Sequence, residues 1–249
     1  MVIIYLCIFF LGASLASYIN ATIYRIEKKV KYPKIFTQSS YCEKCKKKLK
    51  WCELIPILGY IIIKGRCSKC NDKVNIYYPL SELLLGTTFL LFYFFSIPFY
   101  YWILFLFLFV LSFYDILYRG IPKVLTHIFL ILTLLIFLFF NLNTASLIAM
   151  ASIVGMLLVL MAIMKNSFGM GDILLLVGLG ISMNYKSFLS MFWFSIVIAL
   201  LYALLYAIIK EKTLKGVKIP MVPCFTISFV ISVIYGEKIV DFVISKILF

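Results

Sequence analysis

Two aspartates lie at the ends of long apolar runs, where a carboxylate is costly. Asp115 closes the run 99–114 before a turn at 118–122, and Asp172 opens the run 173–180. An ionisable side chain costs on the order of 2–3 kcal/mol near the bilayer centre, so it is a functional candidate by default. Two carboxyl groups held together share a proton, and one can activate water while the other protonates a carbonyl oxygen. The pair predicts peptide hydrolysis.

Two glycines before the second aspartate favour the same chemistry. Gly169 and Gly171 have no Cβ, which lets an extended substrate backbone approach Asp172. Simpler interpretations remain open for each aspartate. Asp172 can be the N-terminal cap of its helix, with the glycines marking a loop, and Asp115 can pair with Arg119 four residues later.

A third chemical signal is a set of cysteines in the one substantial polar loop. Two C-x2-C pairs are separated by about 21 residues; they are Cys42, Cys45, Cys67 and Cys70. Each pair can present two thiolates from a tight turn, and two pairs complete a tetrahedral Zn²⁺ site with no open position, so the metal is predicted to be structural. Two disulfides are the alternative, which a reducing cytoplasm disfavours. Cys52 falls outside the pattern and is expected to pack beside Trp51.

The elements that carry these residues are membrane helices. Of the 249 residues, 64% are hydrophobic and 14% charged, which excludes a soluble or a disordered chain. The fold class predicted is an all-α polytopic membrane protein with about eight transmembrane helices and a cytoplasmic zinc-knuckle loop. The spans lie near 2–24, 79–95, 99–117, 124–141, 145–164, 171–184, 187–209 and 221–236. The tail after Gly236 is expected to lie in the interface or to continue a tilted helix.

The basic residues predict the topology. The net charge is +14, and alternating the loops between two sides places about 21 of the 24 Lys and Arg residues on one side. The positive-inside rule then puts the N-terminus outside and the loop in the cytoplasm. We expect three regions: a first transmembrane helix at 1–24, a basic four-cysteine zinc loop at 25–78, and a transmembrane domain with the aspartates at 79–249. The charge is a topology signal, so no nucleic acid is expected as a partner.

The motifs together resemble a known family. Gly169-Met170-Gly171-Asp172 is similar to the GxGD signature of membrane aspartic proteases, and the whole chain resembles the bifunctional type IV prepilin peptidases. The other segments that carry the resemblance are 16–25, both cysteine pairs, Gly65-Arg66-Cys67, 78–82, Asp115 followed by Ile121-Pro122, and 219–223. The chain departs from the family pattern at Leu174 and Lys123, where the family commonly has Lys and Asp or Asn.

The resemblance implies an enzyme of the bacterial plasma (inner) membrane. Its substrates would be prepilins or pseudopilins, cut at the cytoplasmic face after a short basic leader and then N-methylated with S-adenosylmethionine. It implies Asp115 and Asp172 as the catalytic pair and the four paired cysteines as zinc ligands. No glycine-rich cofactor loop is found, so methylation rests on the resemblance alone. Membrane lipid is the other expected partner, and no oligomeric state is predicted.

Roles are also predicted for two further side chains, and two other functions fit the sequence. Glu82 is expected to anchor the loop through a lysine or to contribute to methyl transfer, and His127 is expected to pack on its helix. The main alternative function is a small transporter whose paired aspartates bind a proton or cation. A weaker alternative is a membrane adaptor that binds a partner through the lysines of the zinc loop.

Overall fold

A computed structural model of the chain describes residues 2–140, 143–163, 169–210 and 219–248. These residues form helices connected by turns and loops, which confirms the predicted all-α class. The helices are α1 (Val2–Glu27), α2 (Lys34–Thr37), α3 (Trp51–Leu54), α4 (Leu58–Ile62), α5 (Tyr77–Phe94), α6 (Phe99–Tyr118), α7 (Lys123–Phe140), α8 (Thr144–Ile163), α9 (Met170–Ser182), α10 (Tyr185–Lys210) and α11 (Met221–Leu248).

Each predicted span coincides with one of the longer helices. Within the described ranges, five are long and apolar enough to cross a membrane, namely α1, α6, α7, α8 and α10. The 13 residues of α9 reach only about 20 Å at 1.5 Å per residue, against ~30 Å of hydrocarbon. The chain is therefore a multi-pass membrane protein, while the count of eight spans stays a prediction. Helix α11 runs through Gly236 without a break, so the tail continues the helix.

The chain divides into two compact units, Met1–Ser96 and Ile97–Phe249. The division of the sequence at residues 24 and 78 stays a prediction. In the first unit α1 packs along α5 through small residues. A Cβ at Gly12 would lie 2.9 Å from the Leu85 carbonyl oxygen, and one at Gly86 would lie 2.9 Å from the Phe9 carbonyl oxygen. The two glycines thus let the helix backbones approach closely, as small residues do in membrane bundles.

The second unit contains the helices that carry both aspartates. Helix α11 packs against α6 and α10, and α9 packs against α7 and α8. On the α6 side, Tyr101 and Phe105 surround Phe229 with ring centroids 5.9 and 6.5 Å away. On the α9 side, Gly178 faces Phe129, because a Cβ there would lie 2.8 Å from the ring. These contacts fix α6 and α9, which present the two carboxylates.

Candidate functional site

Asp115 lies in the last turn of α6 and is bound by the start of another helix. The residue is 8% exposed, and its Oδ2 accepts a hydrogen bond of 3.1 Å from the backbone N–H of Val222. Val222 is the second residue of α11, where a helix has N–H groups without intrahelical partners. The N-terminus of a helix also carries partial positive charge, which favours a carboxylate. Helix α11 therefore holds and orients Asp115.

A polar contact one turn away fixes the register of these two helices. Ser112 precedes Asp115 by almost one turn, and its hydroxyl lies 2.5 Å from that of Thr226 on α11. Thr226 also donates to the backbone oxygen of Leu108 at 3.3 Å. Helix α6 ends at Tyr118, and its C-cap residue Arg119 has a left-handed φ of 51° and donates its N–H to the Asp115 carbonyl at 2.9 Å. The C-terminal end of α6 and the N-terminal end of α11 together fix the position of the Asp115 carboxylate.

Asp172 lies in the first turn of α9 and folds back on its own helix start. The N-cap is Gly169, so the prediction that Asp172 is itself the cap residue is wrong. Its carboxylate instead accepts a hydrogen bond from the Gly169 N–H, and a Cβ at Gly169 would lie 3.0 Å from Oδ2. Asp172 therefore closes the first turn from the third helical position, a role that acidic side chains commonly have there.

The structure brings the two aspartates to one place in the second unit. The two carboxylates lie near enough to each other for the charge of Asp115 to influence Asp172. The link after α6 also meets the first turn of α9, since a Cβ at Gly171 would lie 3.3 Å from Ile121 Cδ1. Glycine at position 169 thus leaves room for the Asp172 carboxylate, and glycine at position 171 leaves room for the Ile121 side chain. This is a second reason for glycine, beside the expected approach of a substrate backbone.

Part of the predicted active-site wall lies outside the described residues. This part is the segment 164–168. The lysines at 165, 212, 215 and 218, which the predicted topology places on the cytoplasmic side, also lie outside the described residues. His127 lies on α7 and is exposed, with Nδ1 at 2.6 Å from the Lys123 carbonyl oxygen. It is far from packed, and it makes no contribution to a ligand cluster among the described residues.

The four paired cysteines meet in the first unit. Their sulfur atoms all lie within 4.8 Å of one another, and the Cys42–Cys70 and Cys45–Cys67 pairs are each 3.8 Å apart. Tetrahedral bonds of ~2.3 Å to zinc place sulfur atoms about 3.8 Å apart, so the cluster can hold such an ion. Both Cys52 and Trp51 are exposed, so the expected packing between them is not a buried one; Trp51 is 91% exposed.

Each half of the cluster is built by the same backbone turn. The Cys42 N–H donates to the Lys47 carbonyl at 2.9 Å, and the Cys67 N–H donates to the Asp72 carbonyl at the same distance. Each turn uses one residue in the left-handed region, Lys46 and Asn71, both with φ 56°. The repeated geometry shows that local sequence shapes each cysteine pair.

Glu53 on α3 connects this helix to both cysteine turns. Its carboxylate accepts hydrogen bonds from the Ser68 hydroxyl, from the Lys50 N–H at 2.7 Å and from Lys47 Nζ at 3.0 Å. Ser68, Lys50 and Lys47 lower the pKa of Glu53 to about 2, with the Ser68 hydroxyl as the largest cause. The side chain is 5% exposed and therefore acts as a buried crosslink.

Glu82 is an anchor, but its partner is a backbone group. Its Oε2 accepts the N–H of Ile57 at 2.7 Å, so the prediction of a loop lysine as the partner is wrong. Ile57 has φ 63° and ψ −53°, and the flanking Leu58 N–H donates to the Pro56 carbonyl at 2.6 Å. This strained γ-turn is rare for a β-branched residue, and Glu82 holds it in place.

Sequence reasoning missed two buried polar residues on α1. Asn20 is 2% exposed and Arg25 is 5% exposed, and both lie beside the loop of the first unit. The signal that could have found them is the presence of an amide and a guanidinium at the end of an apolar membrane helix, where each needs partners. The role of the 219–223 segment was also missed, because nothing in its sequence indicates that its Val222 N–H binds Asp115.

Comparison with known proteins assigns the family. Residues 10–96 match the Bacterial Peptidase A24 N-terminal domain, and residues 102–204 match the Type IV leader peptidase family. The chain belongs to the type IV leader peptidase family. The two matches meet near the boundary between the structural units. The resemblance inferred from the motifs is confirmed.

Several curated relatives carry the same name. A prepilin leader peptidase/N-methyltransferase of Bacillus subtilis is 28% identical over 217 residues, which cover 85% of this chain and 87% of the relative. One of Legionella pneumophila is 26% identical over 224 residues, covering 85% and 77%. One of Neisseria gonorrhoeae is 42% identical over 50 residues, covering 20% and 18%. No solved structure matches the chain.

Proposed function

We propose that this chain is a membrane aspartic endopeptidase that removes the short basic leader from type IV prepilins or pseudopilins, and that it then N-methylates the new N-terminus. The observation that carries the proposal is the meeting of Asp115 and Asp172, which lie on different helices, at one place in the second unit. Family membership and the names of the relatives support the same reaction.

The chemistry of cleavage follows from the proximity of the two carboxylates. Because like charges resist joint ionisation, the pair Asp115 and Asp172 holds one proton between them. The ionised member takes a proton from water, which attacks the scissile carbonyl carbon, and the protonated member gives its proton to the carbonyl oxygen. As the tetrahedral intermediate collapses, the carboxyl that took the water's proton gives it to the leaving amine nitrogen, the other carboxylate takes a hydroxyl proton from the intermediate, and the carbon–nitrogen bond breaks. Neither step needs a metal ion at the aspartates.

The four-cysteine cluster holds a structural zinc ion in this proposal. The sulfur–sulfur distances of 3.8 Å support tetrahedral coordination, and four thiolates leave no position for water. The ion stabilises a loop that contains only two short helical turns between its cysteine pairs, α3 and α4. In this proposal the zinc ion stabilises the first unit, and the second unit carries the residues that perform cleavage.

Methylation requires a donor, for which we propose S-adenosylmethionine. When bound, this molecule would supply the methyl group of its sulfonium to the amine nitrogen; the electron pair of the carbon–sulfur bond would pass to sulfur, and a base would take the amine's proton. We further propose that the N-terminus lies outside and the cysteine loop in the cytoplasm of the bacterial inner membrane. The excess of Lys and Arg in residues 25–78 supports this orientation.

The experiment that tests the function is co-expression of the chain with a candidate prepilin, followed by mass spectrometry of the pilin. The expected product lacks the leader and carries one added methyl group at its new N-terminus. An unprocessed pilin with the wild-type chain, together with proton or cation flux that depends on both aspartates, would favour the transporter instead. Family membership already disfavours the transporter.

A further inference from the structure

The polar loop of the first unit carries an apolar surface between its two cysteine pairs. Four large side chains of α3 and α4 are exposed, namely Trp51, Leu58, Ile61 and Ile62, and Ile61 is 61% exposed. A single exposed apolar side chain is ordinary, whereas several within twelve residues mark an interaction surface. We call these four residues the α3–α4 surface.

Helices α3 and α4 hold this surface rigidly, because their backbones pack together. A Cβ at Gly59 would lie 2.5 Å from the Glu53 carbonyl oxygen and 3.2 Å from the Cys52 carbonyl oxygen, so only glycine allows the contact. The inner side of α4 is occupied as well, since Gly59 is buried and both Tyr60 and Ile63 line the cavity between the loop and the helices α1 and α5. The α3–α4 surface is the side that remains exposed.

Hydrogen bonds place this surface beside the membrane-embedded part of the unit. The Ile57 N–H donates to Glu82 Oε2 at 2.7 Å, and the Ser17 hydroxyl of α1 also bonds to Glu82. Ser17 precedes Arg25, the first charged residue of α1, by about two turns, or ~12 Å. Because α1 is long and apolar enough to cross a membrane, the turn between α3 and α4 lies at the level of its apolar part.

The neighbouring helix exposes apolar side chains at the same level. Leu80, Leu83 and Leu84 of α5 lie within one turn of Glu82, and each is 43–53% exposed. Helix α5 packs along α1, and exposed leucines on a helix that packs along a membrane span face lipid. The hydrogen bond to Glu82 thus holds the α3–α4 surface beside a lipid-facing part of the same unit, which favours lipid as its partner.

Basic residues border the α3–α4 surface at both ends of the segment. Lys50 directly precedes Trp51, and Lys64 follows the last residue of α4 by two positions; both lysines are exposed. Among the described residues neither lysine forms a salt bridge, and the one carboxylate of α3, Glu53, is already bound by Lys47. Tryptophan and aliphatic side chains bordered by lysines are typical of segments that lie in the interface of an anionic membrane.

We propose that the α3–α4 surface docks on anionic lipid of the membrane that α1 crosses. Its four apolar side chains enter the boundary between headgroups and acyl chains, and Lys50 and Lys64 bind lipid phosphates. The cysteine loop is then attached to the bilayer at a second point, beside the hydrogen bond between Ile57 and Glu82. Docking involves only residues of the first unit and does not depend on the proposed cleavage or methylation.

Fluorescence of Trp51 tests the docking directly. The chain has three tryptophans, so Trp102→Phe and Trp193→Phe make Trp51 the sole emitter in the full-length, zinc-containing chain. This chain is placed in phosphatidylcholine nanodiscs with an increasing fraction of phosphatidylglycerol that is brominated near the top of its acyl chains. Docking predicts quenching of Trp51 by the brominated lipid and little quenching by acrylamide in the water. Strong acrylamide quenching without quenching by bromine would overturn the proposal.

Substitutions separate the charged from the apolar part of the contact. Lys50→Gln and Lys64→Gln should each raise the fraction of brominated lipid needed for half-maximal quenching by about fivefold, the effect of removing one lysine near an anionic surface. Ile61→Asp together with Ile62→Asp should abolish the quenching while the zinc content stays unchanged. Lys69→Gln is the matched control and should change nothing, because Lys69 is exposed on the second cysteine turn, outside the segment. Equal shifts for all three lysine variants would overturn the assigned surface.

Lysine labelling of the unsubstituted chain gives a second measurement, which no folding defect of a variant can affect. A water-soluble reagent acetylates the lysines, and mass spectrometry follows each site. Relative to Lys69, acetylation of Lys50 and Lys64 should be about fivefold slower in phosphatidylglycerol nanodiscs than in phosphatidylcholine nanodiscs. Equal ratios in the two lipids would overturn the proposal. Shielding of Trp51 from acrylamide without quenching by the brominated lipid would assign the surface to a second copy of the chain or to another protein, and would overturn it as well.

Discussion

The cysteine cluster and the aspartate pair are assembled in different ways. The four cysteines lie within 29 residues, from Cys42 to Cys70, and each pair is shaped by one turn that repeats the same backbone hydrogen bond. The aspartates are 57 positions apart, and their placement needs α6, α9 and α11. The candidate metal site is therefore a local structure, whereas the candidate catalytic site depends on helix packing across the second unit.

This difference indicates which changes each region tolerates. A local site fails when a ligand is removed, because the bound metal contributes to the folding of its loop. A site built by distant helices also fails when a small group shifts one helix end, since a misplacement of about 1 Å can cost 10²-fold in rate. Substitutions in the two regions should therefore differ in how strongly they affect cleavage.

Removing either carboxylate should abolish cleavage. Asp115→Asn and Asp172→Asn keep the side-chain shape but cannot exchange the proton that the mechanism requires. We expect leader removal to fall below detection in each variant, a loss of at least ~10³-fold, while zinc content stays at about one ion per chain. Quantitative immunoblotting of a co-expressed prepilin, with metal analysis of the purified chain, measures both. Complete processing by either variant would rule out the dyad.

Adding a methyl group beside Asp172 should reduce cleavage without removing any functional group. A Cβ at Gly169 would lie 3.0 Å from Asp172 Oδ2, and the carboxylate must move. We expect Gly169→Ala, and Gly171→Val beside Ile121, to lower the initial rate by about tenfold, or roughly 1.4 kcal/mol. Gly155→Ala on α8 is the matched control, because a Cβ there meets nothing within 4 Å. Equal rates for the three variants would show that the GxGD glycines do not shape the site.

Structures formed by neighbouring residues could be predicted from the sequence, whereas contacts between distant segments could not. The cysteine spacing alone was enough to predict the cluster, because each turn is formed by five or six consecutive residues. The aspartates were found because carboxylates are rare in apolar segments, yet the support of Asp115 by the Val222 N–H could not be read from the sequence. A backbone N–H has no residue identity, so only the packing of α11 against α6 reveals it. Glu82 shows the same limit, since its partner is also a backbone group.

Removing the metal should affect the first unit strongly and cleavage weakly. Replacing Cys42 and Cys45 together by Ser removes two of the four ligands, so the chain should lose its zinc ion and residues 25–78 should become sensitive to protease. Cleavage should fall only a few-fold, because both aspartates lie in the other unit. Cys52→Ala, outside the cluster, is the control and should keep both zinc and rate. Unchanged metal content in the double variant would show that the cysteines are not its ligands.

The smallest effect is expected from Glu53, the buried crosslink between α3 and the cysteine turns. Its pKa is lowered from 4.5 to about 2, with the Ser68 hydroxyl as the main cause. A carboxyl group with a depressed pKa stabilises the folded state fully above its unfolded pKa, and this contribution is lost as the pH falls toward the folded pKa.

Glu53→Gln should therefore lower the unfolding temperature of the cysteine loop by a constant amount between pH 7 and 5. Below about pH 4.5 the difference from wild type should shrink. Cleavage should stay within about twofold, since Glu53 belongs to the first unit and both aspartates belong to the second. Thermal unfolding followed by protease sensitivity of residues 25–78, at several pH values, measures the difference, and Lys44→Ala is the control because its pair with Asp72 is exposed. A destabilisation that grows as the pH falls from 5 to 3 would contradict the assignment of Glu53 as an ionised crosslink.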